Sequence, residues 1–178
     1  MKGIDLIRDV VVVMGVSGCG KTTVGQALAD RLDCPFYDGD DFHPAENVAK
    51  MAAGQPLNDA DRGPWLDRLH DLIRDHLQHG QAAVVACSAL KRRYRDVLRA
   101  GNNGLEFIYL QGDFDLIWER MQARPDHYMK ASMLQSQFDA LEPPSPAEAL
   151  TVSITADVEA IVDRIMDHLA DRRSSHDA

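Results

Sequence analysis

At 178 residues, with a formal charge of −9 and 45% apolar residues, the chain has the size of a single domain, 1–178, able to bury a sizeable core. The acidic balance excludes a dedicated nucleic-acid or anionic-membrane surface, which needs clustered Lys and Arg; an anionic small molecule would need a local basic pocket. No stretch reaches the length of a membrane span, no signal-peptide pattern opens the chain, and Cys19, Cys34 and Cys87 are scattered and odd in number, so free thiols in a soluble cytoplasmic protein are expected.

Val10 to Met14 form an apolar, β-branched run that suits a buried strand. It feeds Gly15-Val16-Ser17-Gly18-Cys19-Gly20-Lys21-Thr22, which reads G-x-x-x-x-G-K-T, the Walker A pattern. Beyond it Val24, Leu28 and Leu32 recur at helical spacing. A strand entering a glycine-rich turn that opens a helix is the context a phosphate-binding loop requires. Its glycines let backbone N–H groups approach and face an anion, and the helix dipole adds to the attraction. Gly15, Ser17, Gly18, Cys19, Gly20, Lys21, Thr22 and Thr23 are therefore expected to hold ATP. Lys21 would reach the β- and γ-phosphates, and the Thr22 hydroxyl would serve Mg²⁺. Cys19 occupies a variable position of the motif, where the backbone N–H is used and the thiol is not.

Cys34 to Tyr37 predict a second strand ending at Asp38-Gly39-Asp40. Phe42 to Asn58 hold a short helix and a Gly54-Gln55-Pro56 turn, and a longer helix is expected from near Pro64, its stripe running from Trp65 and Leu66 to Leu77, with Gly80 ending it. Ala82 to Cys87 read as a buried strand, Lys91 to Arg99 as a basic helix and Leu105 to Leu110 as another strand. Asp113 or Asp115 caps the next helix, which carries Leu116, Ile117 and Met121. After the polar stretch Arg124 to Lys130, a helix returns through Met133 to Leu141, and Pro143-Pro144-Ser145-Pro146 breaks the chain. Thr151 to Ile154 give the last strand, and Val158 to Leu169 the stripe of the last helix. Buried strands alternating with helices specify α/β architecture: a three-layer α/β/α domain around a five-stranded parallel sheet, with ligands at the carboxyl ends of the strands.

No N-K-x-D motif is present to read a guanine base, and the third strand ends Val84-Val85-Ala86-Cys87-Ser88 without the acid of a hydrolytic ATPase. The acids sit after the second strand, which suits a kinase acting on a small molecule. There the chain resembles the gluconokinases of the phosphate-loop type. The likeness runs through Asp38-Gly39-Asp40-Asp41-Phe42-His43-Pro44, Asn47, Lys50-Met51, Gly54, Pro56-Leu57-Asn58-Asp59, Asp61-Arg62 and Pro64-Trp65-Leu66. It continues in Ser88-Ala89-Leu90-Lys91, Tyr94-Arg95-Asp96, Arg120, Arg124, His127, Ser136-Gln137-Phe138 and Leu141-Glu142, and so covers nearly the whole chain.

The resemblance implies a P-loop NTPase with a nucleoside-monophosphate-kinase-like fold that uses ATP and Mg²⁺ to convert D-gluconate to 6-phosphogluconate, usually as a homodimer. It implies a substrate-binding segment at about 41–63 and a lid at about 124–133. By similarity to shikimate kinases as well, Asp40 would orient the attacking hydroxyl and accept its proton, and Asp38 would support Mg²⁺ through water; an exchange of the two roles stays open. His43, Lys50, Arg62 and Lys91 are candidates for the substrate's carboxylate and hydroxyls, Arg62 first because a guanidinium grips a carboxylate with two hydrogen bonds. Arg120 and Arg124, one helical turn apart, share a face. In adenylate-kinase-like proteins that spacing sets the first against adenine and the second on the transferring phosphates.

Arg92, Arg93, Arg95 and Arg99 read as a solvated basic face, and His70, His76 and His79 as the wet side of the long helix without partners for a metal. The same fold and phosphate chemistry would serve a kinase for shikimate or another sugar acid, or, less well, a nucleoside monophosphate kinase. A module that senses ATP without transferring phosphate is the reading from another class, and it would lack the acids and lid arginines.

Overall fold

Two features of the sequence build the sheet: β-branched strands apolar on both faces, and helices long enough to cover them. The computed structural model describes residues 9–125 and 130–176. Strands β1 (Val10–Met14), β2 (Phe36–Asp38), β3 (Ala83–Ala86), β4 (Leu105–Gln111) and β5 (Leu150–Ser153) form one parallel sheet in the order β2-β3-β1-β4-β5. Helices α1 (Lys21–Leu32), α2 (Ala45–Ala52), α3 (Asp59–Gln78), α4 (Arg92–Arg99), α5 (Phe114–Gln122), α6 (Ala131–Ala140) and α7 (Val158–His176) connect and cover it. This is the expected three-layer α/β/α domain.

The two faces of β1 show how the layers form. Val11 and Val13 pack with Leu28, Ile117, Ile161 and Ile165, whereas Val10, Val12 and Met14 pack with Trp65, Leu69, Ile73 and Leu98. Every β1 side chain is fully buried, as a strand covered on both faces demands. The strand order reverses at β1, since β2 and β3 lie to one side and β4 and β5 to the other. Loops after β1, β2 and β3 thus open toward one crevice at the carboxyl ends.

Three local expectations are corrected and one open choice is settled. Helix α3 starts at Asp59, not near Pro64: the Asn58 side chain accepts from the Asp61 N–H while Asp61 accepts from the Asn58 N–H, a capping box that begins the helix a turn earlier. Pro64 then lies inside the helix at its sixth position, where the Ala60 carbonyl goes without its intrahelical donor. Asp113, rather than Asp115, caps α5 by accepting from the Leu116 N–H. Arg95 is no part of a solvated face. It is 1% exposed, and its guanidinium donates to Glu148 Oε1 at 2.7 Å and to the carbonyls of Ala89 (2.8 Å), Leu90 (3.1 Å) and Glu142 (2.9 Å).

His76 also departs from the wet side. Its ring lies edge-on to Tyr37, and its Nε2 is 3.0 Å from the Tyr37 hydroxyl.

Arg95 ties the loop after β3 to the segment that leads into β5, so removing it takes the donor from the Ala89 and Glu142 carbonyls and leaves Glu148 only Arg99 at 3.8 Å, while the Leu90 carbonyl keeps the Glu142 N–H. Arg95→Met is expected to lower unfolding free energy by roughly 3–5 kcal/mol in urea titration, the loss typical of a broken buried ion pair. An unchanged midpoint would mean that solvent reaches these groups.

Candidate active site

Gly18 and Gly20, at φ 80° and 98°, hold left-handed conformations that bend the loop after β1 around its own N–H groups. Gly20 leads into α1 without a side-chain cap, so the first N–H groups of the helix are left for an anion. The Lys21 ammonium folds back across the loop and donates to the Gly15 and Val16 carbonyls, both at 3.0 Å. Cys19 is buried beneath the loop, and Thr22 and Thr23 face the cleft. None of the three cysteines is in a disulfide, and burial pushes the Cys87 thiol under the site up to about 12.

The facing wall is built on the end of β2. Asp38 caps a single 3₁₀ turn, Gly39–Phe42, by accepting from the Asp40 N–H at 3.0 Å. Gly39 has no room for a side chain: a Cβ there would lie 2.5 Å from the Ala86 carbonyl oxygen of β3. Trp65 of α3 donates its Nε1–H to the Gly39 carbonyl at 2.7 Å. The turn is thus clamped between strand and helix, and both acids reach the cleft. The Asp40 side chain stays 80% exposed at the mouth of the cleft; desolvation by the surrounding protein, and then the Asp38 charge, push its pKa above the usual carboxylate range. His43 stacks on Trp65 with ring centres 4.3 Å apart, and its Nε2 is 3.8 Å from Asp40 Oδ1. Burial holds His43 below the usual imidazole range, which favours the neutral ring.

The four sequence-derived substrate candidates divide. His43 and Arg62 line the cleft, a space of about 1060 Å³. Arg62 donates to the Tyr94 hydroxyl at 3.2 Å and lies over that ring. Lys50 instead donates to Asp61 at 2.6 Å, and Lys91 sits 3.6 Å from Asp59, which also binds Arg93 and the Tyr94 hydroxyl. Neither lysine is among the residues that line the cleft.

On the other side of the loop, Arg120 donates to the Ile154 carbonyl at 2.9 Å and borders a smaller cavity of about 170 Å³ with Gly18, Thr23, Ala156 and Val158. Arg124 lines both spaces and so stands where they join. Of the expected lid, residues 126–129, with His127, lie outside the described residues. Beyond it, α6 supplies a contact to which sequence reasoning assigned no role. Gln137 accepts from the Ser17 N–H at 2.6 Å and donates to Ser17 Oγ at 2.8 Å. Its only sequence signal is its place in the Ser136-Gln137-Phe138 run, because a neutral amide gives no charge pattern to read.

The shikimate kinase family model matches residues 17–172. The thermoresistant gluconokinase of Escherichia coli K12 is 46% identical over 150 residues, 84% of this chain and 86% of that protein. The gluconokinase of Gluconobacter oxydans 621H is 49% identical over 138 residues, 78% of each. A crystal structure of a gluconokinase from Sinorhizobium meliloti 1021 superposes with a TM-score of 0.87 at 40% identity, covering 95% of both chains. The chain belongs to the gluconokinases, within the shikimate kinase group of phosphate-loop kinases.

Because Gly39 touches the β3 backbone, Gly39→Ala must displace the turn that carries both acids. Turnover is expected to fall about a hundredfold, as a small misplacement of catalytic groups does, with circular dichroism unchanged at 25 °C. Near-normal turnover would show that the turn is not held by this contact.

Proposed function

We propose that this gluconokinase-family kinase transfers the γ-phosphate of ATP to the terminal hydroxyl of D-gluconate, giving 6-phospho-D-gluconate and ADP. The observation that carries this reading is the confrontation, across one cleft, of a phosphate loop bearing Lys21 with Asp38, Asp40 and Arg62 on the opposite wall. Phosphoryl transfer needs little covalent chemistry from a protein and consists mostly of positioning and charge stabilisation.

In the proposed reaction the loop N–H groups of Gly15 to Thr23 bind the ATP phosphates, and Lys21 leaves its two carbonyls to reach the β- and γ-oxygens. Arg120 and the smaller cavity take the adenine end, and Arg124, at the junction, meets the transferring group. Arg62 grips the gluconate carboxylate, and Asp40 holds the terminal hydroxyl. As the hydroxyl oxygen bonds to the γ-phosphorus, its proton passes to the Asp40 carboxylate and the bond to the bridging oxygen breaks, releasing ADP. Mg²⁺ suits the hard oxygens of Thr22 and Asp38 that face the same space, and when bound it neutralises charge on the β- and γ-oxygens. Lys50 and Lys91 act on the substrate only if they exchange their aspartates for it. The proposal includes a single kinase domain, a substrate segment at 41–63, a closing lid at 124–133 that excludes water, a homodimer and a cytoplasmic location. Among the described residues no helix is long and apolar enough to cross a membrane.

ADP release with Mg·ATP and a panel of acceptors tests the proposal. Turnover is expected with D-gluconate and not with shikimate, other sugar acids or water. Asp40→Asn should lose about 10²–10⁴ in kcat, the usual contribution of a general base. The base works deprotonated and its pKa is raised, so wild-type kcat/KM should begin to fall with decreasing pH already above the ordinary carboxylate range, a limb that Asp40→Asn lacks. Arg62→Lys should raise KM for gluconate about tenfold or more, since an ammonium cannot make the paired contact, and leave KM for ATP in place. Turnover with another acid alone would overturn the substrate, and ATP binding without acceptor-dependent ADP would overturn the kinase reading.

A further inference from the structure

Asn47 is the buried residue of α2, 4% exposed and polar in a helix whose other side chains reach solvent to some degree. Its Nδ2 donates to the Asp61 carbonyl at 2.8 Å and lies 3.2 Å from His43 Nδ1. These two contacts determine a proton position. A backbone carbonyl only accepts, so the Asn47 amide must turn its NH₂ toward Asp61. The second hydrogen of that NH₂ then points at His43 Nδ1, which must present a lone pair, because an amide nitrogen accepts nothing. A neutral imidazole with a bare Nδ1 carries its proton on Nε2.

The Nε2–H faces the cleft beside Asp40. Its 3.8 Å separation from Asp40 Oδ1 is too long for a direct hydrogen bond, yet it puts one oxygen set against the pair within hydrogen-bond reach of both. Stacking on Trp65 fixes the plane of the ring, and the bond from Trp65 to the Gly39 carbonyl ties that plane to the turn that carries Asp40.

We propose that Asn47 is a positioning residue that locks His43 as a neutral Nε2–H donor, so that His43 and Asp40 together hold the acceptor hydroxyl. That hydroxyl accepts from His43, donates to Asp40 and keeps a lone pair for the γ-phosphorus. The opposite tautomer would turn a second acceptor toward the hydroxyl and leave the attacking oxygen without a donor. The inference rests on the kinase reading for its kinetic part, whereas the tautomer is a property of the protein alone.

Long-range ¹H–¹⁵N correlation spectra of the wild-type imidazoles, with His43 assigned by its loss in His43→Gln, read the tautomer without any substrate. The expected signature is a protonated Nε2 and a pyridine-like Nδ1; the reverse pattern overturns the proposal. Asn47→Asp keeps the shape but offers only acceptors, so it should move the proton to Nδ1. It should also lower kcat about tenfold, the worth of one hydrogen bond of ordinary strength, with KM for ATP unchanged. Asn47→Leu removes the donor without adding charge and should lower kcat similarly. Its effect should vanish in the His43→Gln background, where the glutamine amide supplies an N–H without needing Asn47. A moved proton with unchanged kcat, or additive losses in the double variant, would overturn the role. Should another acceptor than gluconate support turnover, the same kinetic comparison is made with it, and the spectra stand unaffected.

Discussion

Backbone N–H groups at the mouth of α1 are the constraint to which the cleft answers. Such donors cannot be left buried and unpaired without a cost of about 1–3 kcal/mol each, and no side chain caps this helix start. In the loop just ahead of the helix, Gln137 of α6 takes the Ser17 N–H. The amide of Gln137 thus tethers α6 to the glycine-rich loop. Lys21 is the complementary case, a cation kept among loop carbonyls at little energetic cost and able to exchange them for phosphate oxygens.

The opposing wall obeys a different rule. Two carboxylates one residue apart repel each other, and they stay near each other because the turn between them is held by contacts that do not involve their charges. Gly39 against the Ala86 carbonyl sets how closely the turn approaches β3, and Trp65 sets its height above α3. Asp38 spends one oxygen on the Asp40 N–H. Asp40 accepts no such bond from the described residues, and its pKa is raised.

The backbone plan was legible because the signals that specify it are local: β-branched runs for strands, apolar spacing for helices, and the glycine-rich loop between the first strand and helix. The start of α3 was not, since Pro64 looks like a first helical position and the reciprocal bonds of Asn58 and Asp61 outweigh it. The role of Arg95 was illegible for a related reason. A basic run in sequence does not tell which guanidinium faces inward, and Glu148 and three carbonyls come from segments distant in the chain. Ser17, Gly18, Gly20, Lys21, Thr22, Thr23, Asp38, Asp40, His43, Arg62 and Arg124 line the cleft and Gly15 and Cys19 do not, whereas Gln137 and Asn47 are neutral donors and acceptors that no charge pattern marks.

Ion pairing decides which cations of this acidic chain are left to face the cleft. Lys50 is neutralised by Asp61, Lys91 and Arg93 share Asp59, and Arg95 is matched by Glu148. Each of these pairs lies at the start of α3 or behind the β3 loop, where it shapes the wall without adding positive potential to the space in front of it. What remains facing the cleft among the described residues is Lys21, Arg62, Arg124 and Lys130. The acids and the His43 imidazole line the same space, where the proposed reaction would orient a hydroxyl and take its proton. A cation in the place of that imidazole would stabilise Asp40 as a carboxylate and weaken it as a base, so a neutral histidine suits the proposed role.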